Sequence, residues 1–516
     1  MRIVATVVAV VVASPAFAQW STDPAVNTPI CTAAGDSVQP KIVSAPDGGT
    51  YVSWFDNRVG GYDVYLQRLD ADGNAVWPLN GILIADRSLS STEDYGACSD
   101  GQGGVVLAFG DDRFGGVKTT VTRVDPNGVQ VWGPNGKQVS TLNVNSPTVA
   151  LSGDGRIVAA WIEGNATALQ RLELDGTMVW AVPVALTAAG AQLWVADLQS
   201  GGGTSVIASM VRQTGFAGAK TLRAQKIDAS GALLWGAPHV SVFTTGSLQF
   251  ANFPNFVPDG AGGAVFSFYT TGPLQSFAQR IDSAGNLLFG VNGAGVTTTT
   301  TRERTGPAVA FDPTTQRTYV AWEERIPSTS NYGCSAQAFD ATGTRLWGAN
   351  GSVLLPVAAN FGVREVEAKV FDCDPTFLFV RDVAFNNGTI FAARMTAGGA
   401  PIWAGSPVTV CSTRTGHSRL ETAIAANGAS LVAVWEDSRN GNQDLYGDAL
   451  RSDGTLGPAA PVVVGDLNDD GIVDAADLAI LLGAWGPALP CSLADLNHDG
   501  TVDAADLAIL LGAWMR

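Results

Sequence analysis

One phrase recurs along most of this chain and constrains its fold more than any other feature: a turn built on Asp and Gly, followed by a large apolar residue. It runs Asp70-Ala-Asp-Gly73 to Trp77, Asp125-Pro-Asn-Gly128 to Trp132, Asp175-Gly176 to Trp180 and Asp228 to Trp235. It continues as Asp282-Ser-Ala-Gly285 to Phe289, Asp340-Ala-Thr-Gly343 to Trp347 and Ala397-Gly-Gly399 to Trp403, and an eighth copy, Ser452-Asp-Gly454, runs into Leu456. A period of roughly 50 residues lies in the range of propeller blades. Ahead of each turn stand two strand-like runs, such as Gly48-Gly49-Thr-Tyr-Val-Ser-Trp54 and then Asp63-Val-Tyr-Leu-Gln-Arg-Leu69. A glycine-rich turn, an apolar strand and an alternating partner make a β-hairpin. Three or four strands per unit, repeated, predict an all-β ring of small sheets: eight blades, with seven as the alternative.

The two ends of the repeat complement one another. Residues 20 to 35 read as the tail of a unit without its head, and the last unit dissolves after Leu456 into Gly457-Pro-Ala-Ala-Pro461. An N-terminal strand that completes the final blade would close the ring and hide both sheet edges. The turn-and-tryptophan phrase resembles that of Asp-box propellers such as sialidases. Its spacing differs, with four residues from Gly73 to Trp77 and without the usual Ser and Thr, so the resemblance implies the architecture and not the activity.

Carboxylates recur at one position of the unit, in Trp54-x-Asp56-x-Arg58, Phe109-x-Asp111-x-Arg113, Trp161-x-Glu163 and Trp435-x-Asp437-x-Arg439. A catalytic pair is singular, whereas a feature of many blades is architectural; residues two apart on a strand share a face, so Asp56 and Arg58 are placed to pair. The first and last units share more, since Arg58, Asp63 and Tyr65 have the spacing of Arg439, Asp444 and Tyr446. Only His239, His417 and His498 are present, which argues against a histidine-based triad or a histidine metal cluster. A glycosidase needs two carboxyls about 5 to 10 Å apart, and no pair is singled out by sequence, so no catalytic residue is assigned. The tryptophans at the repeat position are expected in blade packing, not in sugar stacking.

The chain opens with Met1-Arg2, an apolar run from Ile3 to Val12 and Ala16-Phe17-Ala18, the pattern of a secretory signal peptide over residues 1–18. That run is too short for a stable transmembrane anchor, and no later run approaches about 18 apolar residues. The six cysteines fall after it, in a compartment that tolerates disulfides; six allow 15 pairings, and buried free thiols are the other reading. The net charge of -17 is concentrated, because the last 52 residues hold nine aspartates against one arginine. Such acidity favours cations and excludes nucleic acid as a partner.

Those 52 residues carry the clearest chemistry. Asp466-Leu-Asn468-Asp-Asp470-Gly471-Ile472-Val-Asp474-Ala-Ala-Asp477 is repeated 29 residues later as Asp495-Leu-Asn497-His-Asp499-Gly500-Thr501-Val-Asp503-Ala-Ala-Asp506. Oxygen side chains at positions 1, 3, 5, 9 and 12, glycine at 6 and a carbonyl at 7 follow the ligand plan of a twelve-residue calcium loop. His498 takes a variable position, matching Asp469. Each loop runs into Leu478, Leu481, Leu482 and Trp485, or Leu507, Leu510, Leu511 and Trp514, one apolar stripe per helix. No helix precedes Asp466, so the unit is loop-then-helix.

Two such units, with aspartate at position 12, resemble a dockerin, the module that plugs secreted proteins into cohesin receptors. The resemblance implies two Ca2+ ions, held by Asp466, Asn468, Asp470, the Ile472 carbonyl, Asp474 and Asp477, and by Asp495, Asn497, Asp499, the Thr501 carbonyl, Asp503 and Asp506. It departs at loop positions 10 and 11, where partner-reading hydroxyls are replaced by Ala475-Ala476 and Ala504-Ala505. The implied partner is therefore a cohesin-like or other surface receptor bound through residues 465–516.

The expected organisation is a signal peptide at 1–18, a β-propeller at 19–457, a Pro-rich linker at 458–464 and a small all-α dockerin-like calcium module at 465–516. The expected function is that of a secreted, extracellular or cell-surface propeller displaying a face to a carbohydrate or protein ligand and attached through the module. The alternative is a hydrolase or lyase of polysaccharide catabolism delivered by the same module.

Overall fold

The computed structural model describes residues 19–142, 144–215, 217–236, 238–250, 252–383, 387–459, 463–468, 471–488, 492–497 and 499–514. Residues 1–18, where a signal peptide is expected, and Asp470, Cys491 and His498 lie outside the described residues.

Eight four-stranded antiparallel sheets form an eight-bladed propeller, so the first of the two expected blade counts holds. Each of the first seven blades is a plain meander; in blade 1 the strands are Ser37–Ser44, Thr50–Asp56, Asp63–Leu69 and Ile82–Ala85. The innermost strands contact one another in sequence around the ring, and Ser37–Ser44 meets His417–Ile424 of blade 8 to complete the circle. Blade 8 is a composite. Its outer strand is the N-terminal Thr28–Cys31, paired antiparallel with Asp444–Leu450, as the split repeat predicts.

The core explains why strand pairs read as near-continuous apolar runs. Eight separate clusters of buried side chains each lie between two neighbouring blades; the one joining blades 8 and 1 holds Trp20, Ile30, Val52, Trp54, Val434 and Leu445. Both faces of each blade are thus covered, which removes the polar face of an ordinary antiparallel sheet.

The recurring turn and tryptophan join one blade to the next. In blade 1 the Asp70 carboxylate accepts from the Asp72 and Asn74 amides at 3.0 and 2.8 Å, closing an Asx turn on Gly73. Gly73 has φ of +89°, and a Cβ there would lie 2.5 Å from the Trp20 ring, so both conformation and space require glycine. The indole nitrogen of the preceding tryptophan donates to a carbonyl of that turn: Trp20 to Ala71 at 3.1 Å, Trp180 to Ala229 at 2.9 Å, Trp403 to Ser452 at 2.7 Å. The latch rings are buried except Trp132, which is partly buried against its cluster, so the repeat tryptophans are packing. A glutamine ten residues ahead holds the latch: Gln225 Oε1 accepts from the Trp235 amide at 2.9 Å while its Nε2 donates to the Trp235 carbonyl at 3.0 Å. Gln170 does the same for Trp180, and Gln67, Gln279 and Gln337 accept from the amide of their latch residue while donating to the carbonyl of the residue after it, Pro78, Gly290 and Gly348.

The C-terminal region has two helices, α1 (Ala475–Gly483) and α2 (Ala504–Ala513), and a two-residue ladder between Gly486–Pro487 and Thr501–Val502. Its core is Leu467, Val473, Leu481, Ala494, Val502 and Leu510. The apolar stripe is narrower than the sequence periodicity predicts. Leu481 and Leu510 are fully buried, but Leu482 and Leu511 are each 52% exposed and Trp485 is 49% exposed. Two short helices meet along one line, and a residue one position further round each helix falls outside it. No helix among the described residues is long and apolar enough to cross a membrane.

Candidate functional site

The twin loops of the C-terminal region fold alike at their capping and closing aspartates. Asp474 caps α1 by accepting from the Ala476 amide at 2.7 Å, and Asp503 caps α2 by accepting from Ala505 at 2.7 Å. The position-12 aspartates close the loops. Asp477 takes the Asp474 amide on one oxygen (2.8 Å) and the Leu467 and Asn468 amides on the other (2.7 and 3.2 Å). Asp506 does the same with Asp503 (2.8 Å), Leu496 (2.7 Å) and Asn497 (3.1 Å). Both side chains are fully buried. Burial raises a carboxyl pKa, but these amide donors outweigh it and hold both acids below their usual range. At position 1, Asp466 accepts from the Gly471 amide at 2.7 Å and Asp495 from Gly500 at 2.9 Å. In the second loop Asn497 Oδ1 accepts from the Asp499 amide at 3.0 Å and Asp499 from the Thr501 amide at 2.9 Å.

The donor set fits a hard divalent cation. It is oxygen throughout, and the sequence offers no Lys or Arg between Arg451 and Arg516 to neutralise the loop carboxylates. Of the expected ligands, Asp466, Asn468, Ile472, Asp474 and Asp477 belong to the first loop and Asp495, Asn497, Asp499, Thr501, Asp503 and Asp506 to the second, while Asp470 lies outside the described residues.

In the propeller the recurrent carboxylates are architectural. Asp56 accepts from Arg58 on both oxygens (Nε 2.7 Å, Nη2 2.6 Å) and from the Trp54 indole at 3.0 Å. Asp437 repeats this with Arg439 Nη2 at 2.6 Å and Trp435 at 3.2 Å. Around Asp437, the Cys411 thiol and the His417 ring come within 4.8 Å of the carboxylate. A metal would have to displace Arg439, and blade 1 builds the same group with Cys31, Asp56 and Arg58 but with Ser37 in the histidine place. The guanidinium already supplies the cation. Burial lowers the His417 pKa, and its Nε2 donates to the Thr413 carbonyl at 2.8 Å. Cys31, Cys98, Cys334 and Cys411 are free thiols, and Cys373 is disulfide-bonded.

Sequence reasoning missed the central channel. A cavity of about 940 Å³ runs along the inner strands, lined among others by Lys41, Asp197, Glu323, Glu365, Glu367 and Arg419. Its inner strands are bulged: in blades 1, 3, 6, 7 and 8 the register slips by one residue, leaving Gln39, Ser146, Gly306, Glu365 and Arg419 with φ between +47° and +55°. For residues with a side chain such a conformation costs about 1–3 kcal/mol each. Only Gly306 is marked by residue type; a Cβ there would lie 2.6 Å from Glu323 Oε1. Most channel charges are matched within the protein. Lys41 bridges Asp94 and Glu421 at 3.2 Å each, and Glu367 accepts from Thr422 at 2.8 Å. Burial pushes Glu323 up to about 7 and Asp197 up to about 6.

Residues 464–512 match the family model of the dockerin type I domain. Dockerin type I domains typically bind calcium and take cohesins as protein partners, and they belong to extracellular cellulosome-type proteins. No curated protein matches the chain. Among solved structures, the chain is similar to an ulvan lyase of a polysaccharide lyase family at 11% identity and a TM-score of 0.47, covering 83% of this chain and 96% of that one. It is similar also to a eukaryotic initiation factor at 11% identity and a TM-score of 0.42, covering 85% and 94%. A further polysaccharide lyase shares 10% identity at a TM-score of 0.40, covering 83% and 91%.

Proposed function

We propose that this is a secreted protein whose C-terminal dockerin module, residues 465–516, folds around two Ca2+ ions and fastens the propeller, through the 458–464 spacer, to a cohesin-like or other surface receptor. The propeller is then the displayed binding part. The observation that carries this reading is the pair of fully buried aspartates, Asp477 and Asp506, each tying its loop to its helix inside a segment with no internal cation. The ligands are Asp466, Asn468, Asp470, the Ile472 carbonyl, Asp474 and Asp477 in one loop and Asp495, Asn497, Asp499, the Thr501 carbonyl, Asp503 and Asp506 in the other. Exposed Leu482, Leu511 and Trp485 supply an apolar face for the receptor.

Two measurements test it. Metal analysis of the dialysed full chain is expected to give two Ca2+ per molecule, and none after Asp477→Ala with Asp506→Ala. Capture by an array of cohesin-type receptors is expected with Ca2+ and not with chelator; capture that ignores chelator would end the reading.

The alternative, a polysaccharide-acting hydrolase or lyase, is favoured by Glu323, whose carboxyl, pushed up to about 7 in a channel, suits a general acid near neutrality. Turnover on a polysaccharide panel that is abolished by Glu323→Gln would establish it in place of a binding-only propeller.

A further inference from the structure

Three side chains set the central channel apart from the rest of the propeller. Ser146, Glu365 and Arg419 occupy the bulge positions of blades 3, 7 and 8, each at positive φ (47°, 51° and 50°), and all three line the same cavity. Among the described residues, the Ser146 hydroxyl, the Glu365 carboxylate and the Arg419 guanidinium take part in no hydrogen bond or ion pair. Their neighbours are satisfied: Lys41 by Asp94 and Glu421, Glu367 by Thr422, Arg364 by Asp382. Of the four strained side chains on these bulges, Gln39 donates its Nε2 to Thr92 Oγ1 at 2.9 Å, whereas the three that line the cavity find no partner inside the protein, and strained backbone that aims unpartnered polar groups into a cavity marks a binding site.

The chemistry of these heads selects a ligand. Arg419 presents a planar fork that matches the two oxygens of a carboxylate, and Glu365, which feels Arg364 and then Arg419 electrostatically, forms no ion pair with it. Ser146, Glu365 and the buried, unpartnered Asn252 amide offer donors and acceptors for hydroxyl groups. Three residues before Phe256, whose amide donates to Asp197 at 3.1 Å, the Phe253 ring is 38% exposed and lines the channel, a platform for the apolar face of a pyranose. We propose that the channel binds an acidic oligosaccharide, a chain of pyranose rings carrying carboxylates, with Arg419 gripping a carboxylate and Ser146, Asn252 and Glu365 taking hydroxyls. This rests on the reading of the propeller as the displayed binding part and gives that part its ligand class.

The test is calorimetric titration of the full chain, in Ca2+, with uronic-acid oligosaccharides of three to six rings. The comparison arms are the same chains with their carboxyls reduced to alcohols, sulfated oligosaccharides, and an acidic peptide. The uronates are expected to bind at least about tenfold more tightly than the reduced chains. Arg419→Gln is expected to weaken uronate binding about tenfold and Arg419→Lys by less, because a point charge keeps attraction but loses the bidentate geometry. Arg419→Gly separates binding from folding: it removes the strain, so the unfolding temperature is expected to stay level or rise while binding falls as in Arg419→Gln. Undiminished binding in Arg419→Gln, equal binding of reduced chains, tighter binding of the sulfated chains or the peptide, or no binding in any arm would overturn the proposal. Equal binding of reduced chains would remove only the ligand class and leave the displayed propeller standing. Loss of receptor capture with an intact titration would remove the docking reading and leave the channel site standing.

Discussion

The propeller and the C-terminal module are both made by repetition, and they solve the problem of joining repeats in opposite ways. The propeller joins unit to unit with apolar surface: eight clusters lie between blades, and each is fastened by an aromatic ring seated on the next blade's glycine. The module has two units with six fully or largely buried apolar side chains between them, and its order is built instead around oxygen atoms. A large ring therefore carries its stability in its own surfaces, whereas a segment of about fifty residues has little apolar core and, on the proposed function, would borrow its stability from an ion.

The sharpest way to break this contrast is to remove the ion. With chelator, or in the Asp477→Ala, Asp506→Ala variant, helical circular dichroism from the module is expected to vanish while the main thermal transition of the propeller stays in place. A shift of both transitions together would show that the two parts share one core. Next in size, Trp20→Ala empties the junction of blades 8 and 1 and is expected to cost about 3–5 kcal/mol of propeller stability, read in a denaturant melt, with Ca2+ binding unchanged.

A smaller effect tests the same junction by pH. Asp448 is fully buried beneath the N-terminal segment, and burial outweighs its bonds from Asn27 (2.7 Å) and Thr28 (3.1 Å), pushing its carboxyl up to about 7. A carboxyl raised on folding favours the folded state while protonated, so this contribution is complete below the unfolded value of about 4 and is lost as pH rises to about 7. Urea melts at pH 5 and pH 8 are expected to differ less in Asp448→Asn than in the parent. Smallest of all, Leu482→Ala with Leu511→Ala is expected to change stability by no more than about 0.5 kcal/mol each, because both are half exposed, yet to reduce receptor capture.

The contrast also governs what could be read from the sequence. The propeller's turns were legible because Asx turns, positive-φ glycines and the rings they seat are demanded residue by residue, as at Asp70, Gly73 and Trp77. The two C-terminal loops were legible for the same reason, since Asp474, Asp477, Asp503 and Asp506 make the capping and closing bonds that their positions demand. The channel was not: Gln39, Ser146, Glu365 and Arg419 have ordinary residue types in an uncommon conformation imposed by the closing of inner strands around the axis, and nothing local announces it. The exposed side of α1 and α2 was hidden too, since a periodicity of 3.6 marks which residues are apolar but not where two short helices cross. The glutamines ten residues ahead of each latch did leave a signal, visible only by aligning Gln67, Gln170, Gln225, Gln279 and Gln337.

The eighth unit ends in Leu456 where the others have an aromatic latch, and the missing ring is Trp20, delivered from the other end of the chain. The bond from the Ser21 amide to Asp448 spans 427 residues, about the longest loop closure this chain can make. During synthesis blade 1 must therefore wait, its glycine seat already formed or forming, until the last blade has left the ribosome. The same stitch makes the circle indifferent to where it is cut: joining residue 457 to residue 19 and opening the loop between any two other blades would yield a permuted ring with every latch intact and a much shorter wait.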